Sequence, residues 1–361
     1  MTDDAKHMQH ALQLAEHGRG KTSPNPMVGA VITGPEGQIV GTGHHARAGG
    51  PHAEIRALEE AGRLSVGGTL YCTLEPCCHH GRTGPCADEI VGAGIKRVVL
   101  ATLDPNPRVQ GNGVELLRQN RIVVDVGLCA KEAKALNAAF FKWITTGRPF
   151  VIMKVALSLD GCFTREGQAR TKLTSAKADA YVHRLRAEVD GIAVGSNTVI
   201  ADDPLLTARN VVRDRPLTRV VFDRRLRVSP SARLFGTHAA GPIVVVTTEA
   251  QCERKSERVK ALQDVGADLE GLTKSDDMGS VLRKLGRREI TCLVVEGGKS
   301  VHKSLWRRHV DRVQIFIAPI RLGFEGEQWL ERSLVMKELS TVNVANFGPD
   351  VLVEGDVYWN H

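Results

Sequence analysis

His52-Ala53-Glu54, followed by Pro76-Cys77-Cys78 and then Pro85-Cys86, is the pattern that most constrains this chain. One imidazole and two thiolates can hold Zn²⁺ and leave a fourth position for water, while a nearby acid that is not a ligand moves protons. The combination reads as a hydrolytic deaminase site with Glu54 as its catalytic acid and base. Residues two apart project from different faces of a regular helix, so His52 and Glu54 converge on one water only where a helix begins. Pro51 marks such a beginning, and residues 55–61 read as helix until Gly62. Pro85-Cys86 likewise precedes a helical run from Ala87 with acidic residues in its first turn. The positive potential at both helix starts favours thiolate over thiol. A closed structural zinc site would need a fourth protein ligand, which Cys78, His79 or His80 could supply. Cys78 directly follows a ligand and would point away from it in an extended segment.

At 361 residues the chain exceeds the usual size of a single core, so two domains are expected. No apolar run approaches the roughly 20 residues of a membrane span. The first seven residues lack a signal peptide's apolar stretch, so the expected protein is soluble and cytoplasmic, with no membrane partner. Eight dispersed cysteines do not make a disulfide framework; two read as metal ligands, and Cys72 and Cys292, in apolar strand-like runs, as packed thiols. Residues 1–147 carry 15 basic against 14 acidic side chains, and the remainder 33 against 27. The excess is unclustered, and aromatic residues are only 4% of the chain, which favours a small anionic ligand over nucleic acid.

Periodicity and turn signals predict an opening helix over 4–17, strands at 28–32 and 38–43, a strand at 69–74, a strand at 97–102, a helix from about Val114, a strand at 122–124 and a helix over 130–144. Strands alternating with helices imply a layered α/β domain. Thr145-Thr146-Gly147-Arg148-Pro149 sets the boundary before a strand at 150–155. Beyond it, strands are expected at 192–194, 219–222, 243–246, 292–295 and 313–317, with helices near 176–189, 257–264, 278–286 and 299–307. The expected domains are 1–146 and 149–361.

Several motifs together carry a resemblance. They are Asn25-Pro26-x-Val28-Gly29, His45, Pro51-His52-Ala53-Glu54, Leu74-Glu75-Pro76-Cys77 and Asp104-Pro105-Asn106-Pro107 with Gly111-x-Gly113. The second half adds Lys154-x-Ala156-x-Ser158-Leu159-Asp160-Gly161, Leu185-Arg186, Thr198-x-x-Ala201-Asp202-Asp203-Pro204, Leu206-Thr207-x-Arg209 and Glu296-Gly297-Gly298. Over nearly its whole length the chain resembles the bifunctional riboflavin-biosynthesis deaminase/reductases. The resemblance implies an N-terminal three-layer cytidine-deaminase-like domain and a C-terminal dihydrofolate-reductase-like α/β domain. It further implies zinc on His52, Cys77 and Cys86, deamination of 2,5-diamino-6-(5-phosphoribosylamino)pyrimidin-4-one, reduction of the ribosyl group to ribityl with NADPH, and a homodimer joined through the C-terminal domain.

By the same resemblance, Asn25, His45, His79, Arg82, Asp104 and Asn106 recognise the deaminase substrate, with Arg82 or His79 at its phosphate. Arg186, Leu206, Arg209 and Glu296 hold the phosphosugar in the reductase, and two arginines suit a phosphate better than burial. Ala156, Thr198, Asp202 and the run Gly298, Lys299, Ser300, Val301, His302, Lys303 and Ser304 receive NADPH. No Gly-x-Gly-x-x-Gly follows a strand, which argues against a Rossmann fold; paired glycines between a strand and a helix let backbone amides approach a phosphate instead. One departure stands out: Gly167-Gln168-Ala169-Arg170-Thr171-Lys172-Leu173-Thr174 lacks the Ser and Trp that the family usually places there. Arg170 and Lys172 are the residues that could compensate by binding phosphate. Three rival readings follow: a deaminase whose second half has lost hydride transfer, a nucleic-acid base deaminase, and a zinc-stabilised interaction protein without activity.

Overall fold

The computed structural model describes residues 2–78, 85–107, 109–165, 171–306, 308–330 and 332–357. The chain forms two compact units, 1–147 and 148–361.

In the first unit, α1 (Asp3–Glu16) leads to β1 (Gly29–Thr33), β2 (Ile39–His44), α2 (Ala53–Ala61), β3 (Thr69–Cys72), α3 (Cys86–Gly92), β4 (Arg97–Leu100), α4 (Asn112–Gln119), β5 (Val123–Val126), α5 (Ala130–Leu136) and α6 (Ala138–Thr146). The strands form one sheet in the order β2-β1-β3-β4-β5, antiparallel around β1 and parallel from β3 to β5. All five residues of β1 are buried, as in a strand covered on both faces. Val31 packs with Met8 and Ala11 of α1 and Ala133 of α5, whereas Ala30 and Ile32 pack with α2, α3 and α4. Three layers result.

Glycines set how closely the helices approach. A Cβ on Gly29 would lie 1.9 Å from the Ala11 carbonyl oxygen, and Cβ atoms on Gly41 and Gly43 would lie 2.2 and 2.1 Å from those of Ala57 and Ala53. Thus α1 lies directly on the backbone of β1, and α2 on that of β2. At the rim of the sheet, Glu60 Oε2 accepts from both the Thr42 amide (2.7 Å) and its hydroxyl (2.8 Å). The single helix expected over 130–144 is two helices, broken at Asn137. There the Asn137 side chain accepts from the Met27 amide and donates to the Met27 carbonyl, each at 2.8 Å, acting as a strand partner for the segment that carries Asn25.

The second unit contains β6 (Phe150–Ser158), β7 (Cys162–Arg165), α7 (Ala176–Glu188), β8 (Gly191–Gly195), α8 (Ser196–Asp202), β9 (Thr218–Phe222), β10 (Ile243–Thr248), α9 (Glu249–Arg254), α10 (Ser256–Asp264), β11 (Ala267–Leu272), α11 (Met278–Arg287), β12 (Cys292–Val295), α12 (Lys299–Leu305), β13 (Arg312–Ala318), β14 (Gly326–Gln328), α13 (Arg332–Lys337), β15 (Leu339–Phe347) and β16 (Asp350–Val357). Nine strands run β11-β10-β9-β8-β12-β6-β13-β16-β15, all in one direction except β16, which is antiparallel to both its neighbours, while β7 and β14 make a separate ribbon. One face packs on α11 and α12, the other on α7 and α10. Strands β7, β11, β14, β15 and β16 were not anticipated. In β15 most side chains are exposed, and in β16 acidic residues flank a run of only three apolar ones, Val351-Leu352-Val353.

The close approach at Gly29 gives a direct test. Gly29→Ala should destabilise the first unit by roughly 1–3 kcal/mol, the usual cost of overpacking. Gly92→Ala, where a Cβ meets nothing within 4 Å, should leave the thermal midpoint nearly unchanged.

Candidate functional site

His52 is the N-cap of α2, with extended backbone, and Glu54 stands in the first turn behind it. Cys86 is the first residue of α3, and Cys77 lies on the segment between β3 and that helix. His52 Nδ1 is 3.1 Å from Cys86 Sγ and 3.6 Å from Cys77 Sγ, and the Cys86 amide donates to Cys77 Sγ at 3.4 Å. The three donor atoms lie within 4.8 Å of one another. A tetrahedral zinc bound to nitrogen and sulfur sets its donors about 3.5–3.8 Å apart, so this soft, compact donor set fits that ion. Among the described residues Cys78 does not join the cluster; it is half-buried. His79, His80 and Arg82 lie outside the described residues.

Glu54 is 3% exposed, and burial pushes its carboxyl up to about 6. The Cys77 thiol is held low, first by the Cys86 thiol and also by the His52 ring. Beside this cluster His45 is 2% exposed and meets His52 edge to face at 5.4 Å. Its Nδ1 lies 3.1 Å from the Pro51 carbonyl oxygen, which only accepts, so Nδ1 carries the proton and Nε2 accepts from Asn25 Nδ2 at 3.2 Å. Burial lowers the pKa of this ring. Asn25, His45 and His52 are therefore brought together. Asp104 is buried, and its Oδ1 accepts from the Asn106 amide at 2.8 Å, closing the turn that carries both residues. That turn is fastened by Glu75, to which sequence reading gave no role of its own.

In the second unit a buried ion cluster sits under α7. Arg186 donates through Nε and Nη2 to the two carboxylate oxygens of Glu296 at 2.7 and 2.9 Å, and through Nη1 to the Thr207 carbonyl at 3.0 Å. Lys154 Nζ lies 3.7 Å from Glu296 Oε2 and 5.5 Å from the centroid of the Phe316 ring. Burial pushes the Glu296 carboxyl up, but Arg186 and Lys154 outweigh it and hold it at about 2. Burial lowers Lys154 more than Glu296 raises it. The expectation that Arg186 faces a phosphate differs from this arrangement, because its side chain is 14% exposed and its guanidinium already paired. Arg209 is exposed, its amide donating to His183 Nδ1, and Leu206 is buried with φ +54°.

The C-terminal ends of β8 and β12 meet the starts of α8 and α12. A Cβ on Gly195 would lie 2.9 Å from Val301, one on Gly297 3.2 Å from the Gly195 nitrogen, and one on Gly298 3.9 Å from Thr198 Oγ1. Gly298, Thr198 and Val301 thus converge, with Lys299 and Ser300 in the same helix start. Ala156 is half-buried on β6, the strand beside β12, and Asp202 ends α8. Lys303 and Ser304 are exposed, the Ser304 hydroxyl donating to the Val301 carbonyl. His302 turns inward instead: it is 1% exposed, Nδ1 accepts from Trp329 Nε1 at 2.9 Å, and Nε2 lies 3.3 Å from the Val295 carbonyl. Its side chain is committed to the core and cannot face a cofactor. Arg170 lies outside the described residues, and Lys172 Nζ pairs with Asp179 at 3.4 Å. Sequence reading also missed Arg227, whose Nη2 donates to Ser196 Oγ at 2.8 Å in the first turn of α8. Its signal was the run of arginines at 224, 225 and 227.

Residues 1–102 match the cytidine and deoxycytidylate deaminase zinc-binding region, and residues 149–353 match the RibD C-terminal domain. The riboflavin biosynthesis protein RibD of Aquifex aeolicus is 42% identical over 357 residues, covering 97% of each chain. Its Escherichia coli counterpart is 37% identical over 366 residues, covering 96% of this chain and 98% of that one. Among solved structures, a RibD from Acinetobacter baumannii superposes with a TM-score of 0.87 at 32% identity over 99% of each chain. The Thermotoga maritima diaminohydroxyphosphoribosylaminopyrimidine deaminase/5-amino-6-(5-phosphoribosylamino)uracil reductase does so at 0.86 and 35%, again over 99% of each chain.

The Glu296 cluster carries a pH signature. With its folded-state pKa at about 2 against an ordinary 4.5, the pairing contributes stability above pH 4.5 that is lost as pH falls toward 2. The full contribution is about 3 kcal/mol. Urea midpoints measured from about pH 5 to about pH 3 should fall more steeply for the wild type than for Glu296→Gln; parallel curves would refute the linkage.

Proposed function

The chain belongs to the RibD family and is a bifunctional deaminase and reductase of riboflavin biosynthesis, and on that premise we propose the substrate, cofactor and residue roles at each centre. The first unit hydrolyses the 2-amino group of 2,5-diamino-6-(5-phosphoribosylamino)pyrimidin-4-one. The second reduces the ribosyl group of the deaminated product to ribityl with NADPH. The observation that carries this reading is one imidazole and two thiols within 4.8 Å of one another, beside a carboxyl that is 3% exposed.

His52, Cys77 and Cys86 hold zinc, which when bound supplies the Lewis acidity that makes water nucleophilic near neutral pH. Glu54 accepts the proton of the attacking water and returns it to the ring nitrogen and the departing ammonia. A carboxyl raised by burial to about 6 can both take and give a proton near neutrality. The C2–N bond breaks, oxygen replaces nitrogen, and ammonia leaves. Asn25, oriented by His45, pairs with the pyrimidinone edge, and Asp104 and Asn106 offer further polar groups. His79 and Arg82 complete the substrate site at the phosphate.

In the second unit, the glycine-lined junction of β8, β12, α8 and α12 takes NADPH, with Gly298, Lys299, Ser300, Val301, Lys303, Ser304, Thr198, Asp202 and Ala156 around it; His302 contributes through its main chain. Arg227 at the start of α8 favours the additional phosphate of NADPH over NADH. Reduction moves a hydride to the sugar carbon that bears the amine, and opening of the sugar ring needs one proton at the ring oxygen. Lys154, fixed by Glu296 and lowered by burial, is suited to deliver it. Arg186, Leu206, Arg209 and Glu296 form the phosphosugar side, Arg186 holding Glu296 in place and exposed Arg209 lying on the side of the phosphate.

No described helix is long and apolar enough to cross a membrane, and the unpaired cysteines support a reducing, cytoplasmic setting. The partners are small phosphorylated pyrimidines and not nucleic acid. A homodimer through the second unit completes the reading, supported by exposed Val342 and Val344 on the outer strand β15.

Glu54→Gln should retain one zinc per chain by elemental analysis while ammonia release falls by about 10²–10⁴ and NADPH oxidation persists; substantial residual deamination removes Glu54 from its role. Lys154→Met should abolish oxidation of NADPH by the deaminated substrate without lowering ammonia release. Unchanged oxidation in that variant assigns the proton to another group.

A further inference from the structure

Glu75 is 3% exposed and accepts four main-chain hydrogen bonds. Oε2 takes the amides of Asp104 (3.2 Å) and Gly111 (3.0 Å), and Oε1 those of Gly113 (3.0 Å) and Val114 (3.1 Å). A carboxylate has about four lone-pair sites, and here every one meets a backbone donor. Two donors open the first turn of α4, where helix amides lack intrahelical partners, and two bracket the turn that carries Asp104 and Asn106. The contact is close on the other side as well, since a Cβ on Gly113 would stand 2.2 Å from the Pro76 carbonyl oxygen. Glu75 is two residues from Cys77, so one short, rigid stretch joins the metal cluster to the 104–114 segment.

We propose that Glu75 is a positioning residue for deamination, fixing the 104–106 turn relative to the Cys77 segment so that Asp104 and Asn106 meet the substrate in register. The proposal rests on the reading that the first unit deaminates a pyrimidine. Glu75 touches neither substrate nor metal; it acts through the backbone of the turn. Exchanging its carboxylate for an amide keeps the shape but turns a donor toward two of the four N–H groups. The turn then loses its anchor while the three metal ligands keep theirs.

In Glu75→Gln the KM for the deaminase substrate should rise by about tenfold, the size of a lost charge-assisted hydrogen bond, with kcat changed far less. Zinc content should stay at one per chain, NADPH oxidation by the second unit should be unchanged, and amide exchange at Asp104, Gly111, Gly113 and Val114 should quicken. Glu75→Asp, which keeps the charge but shortens the reach, should give an intermediate KM, and it serves if the glutamine variant does not fold. A purely structural role would lower zinc content and kcat together and leave KM alone; that result, or a wild-type KM in the folded variants, overturns the proposal. A wild-type chain that releases no ammonia overturns instead the reading beneath it.

Discussion

Helix α2 rests on bare backbone where Gly41 and Gly43 of β2 pass beneath it, and the rest of the first catalytic centre follows from that contact. With no side chain between helix and strand, the start of α2 is fixed against the sheet, and α3 packs beside it on the same face. His52 and Cys86 then reach across from two helix starts to within 3.1 Å. Glu54, in the first turn of the same helix, is buried, and burial raises its carboxyl to about 6. His52 and Glu54 therefore stand together at the start of one short helix.

Buried acids do three different jobs in this protein, and their surroundings separate them. Glu54 is desolvated and kept protonatable. Glu296 is desolvated too, yet Arg186 and Lys154 keep it ionised. Glu75 spends both oxygens on the main chain, and Asp190 one of its two: Asp190 Oδ2 accepts from the amides of Thr291 and Cys292, tying β12 to the start of β8 as Glu75 ties α4 to the metal segment, while Oδ1 pairs with Arg215. Asn137 does the same work without charge, and the helix it interrupts is the cost of that bond.

The metal cluster was legible because its logic is local: a proline, a ligand and a helix beginning lie within a few residues of each other. The buried parallel strands were legible as apolar runs. What escaped was long-range. Residues 130–144 read as one helix because alanines flank Asn137 on both sides, while the partner that Asn137 meets at the break lies 110 residues away. Arg186 looked like a phosphate ligand because its chemistry suits one, while the carboxylate that holds it is again 110 residues away. His302 sits inside a plausible cofactor run, and nothing nearby in sequence announces that Trp329 will claim its ring. Strand β15 presents mostly exposed side chains, and the apolar run of β16 is only three residues long between acidic ones, too short to announce a strand.

The bond from Glu60 to Thr42 closes the outer margin of the first sheet. An unpaired strand at such a margin invites any extended peptide to add itself on. With that amide already taken, newly made copies crowded on a ribosome find one fewer place to stack, and the sheet ends where its own chain decides.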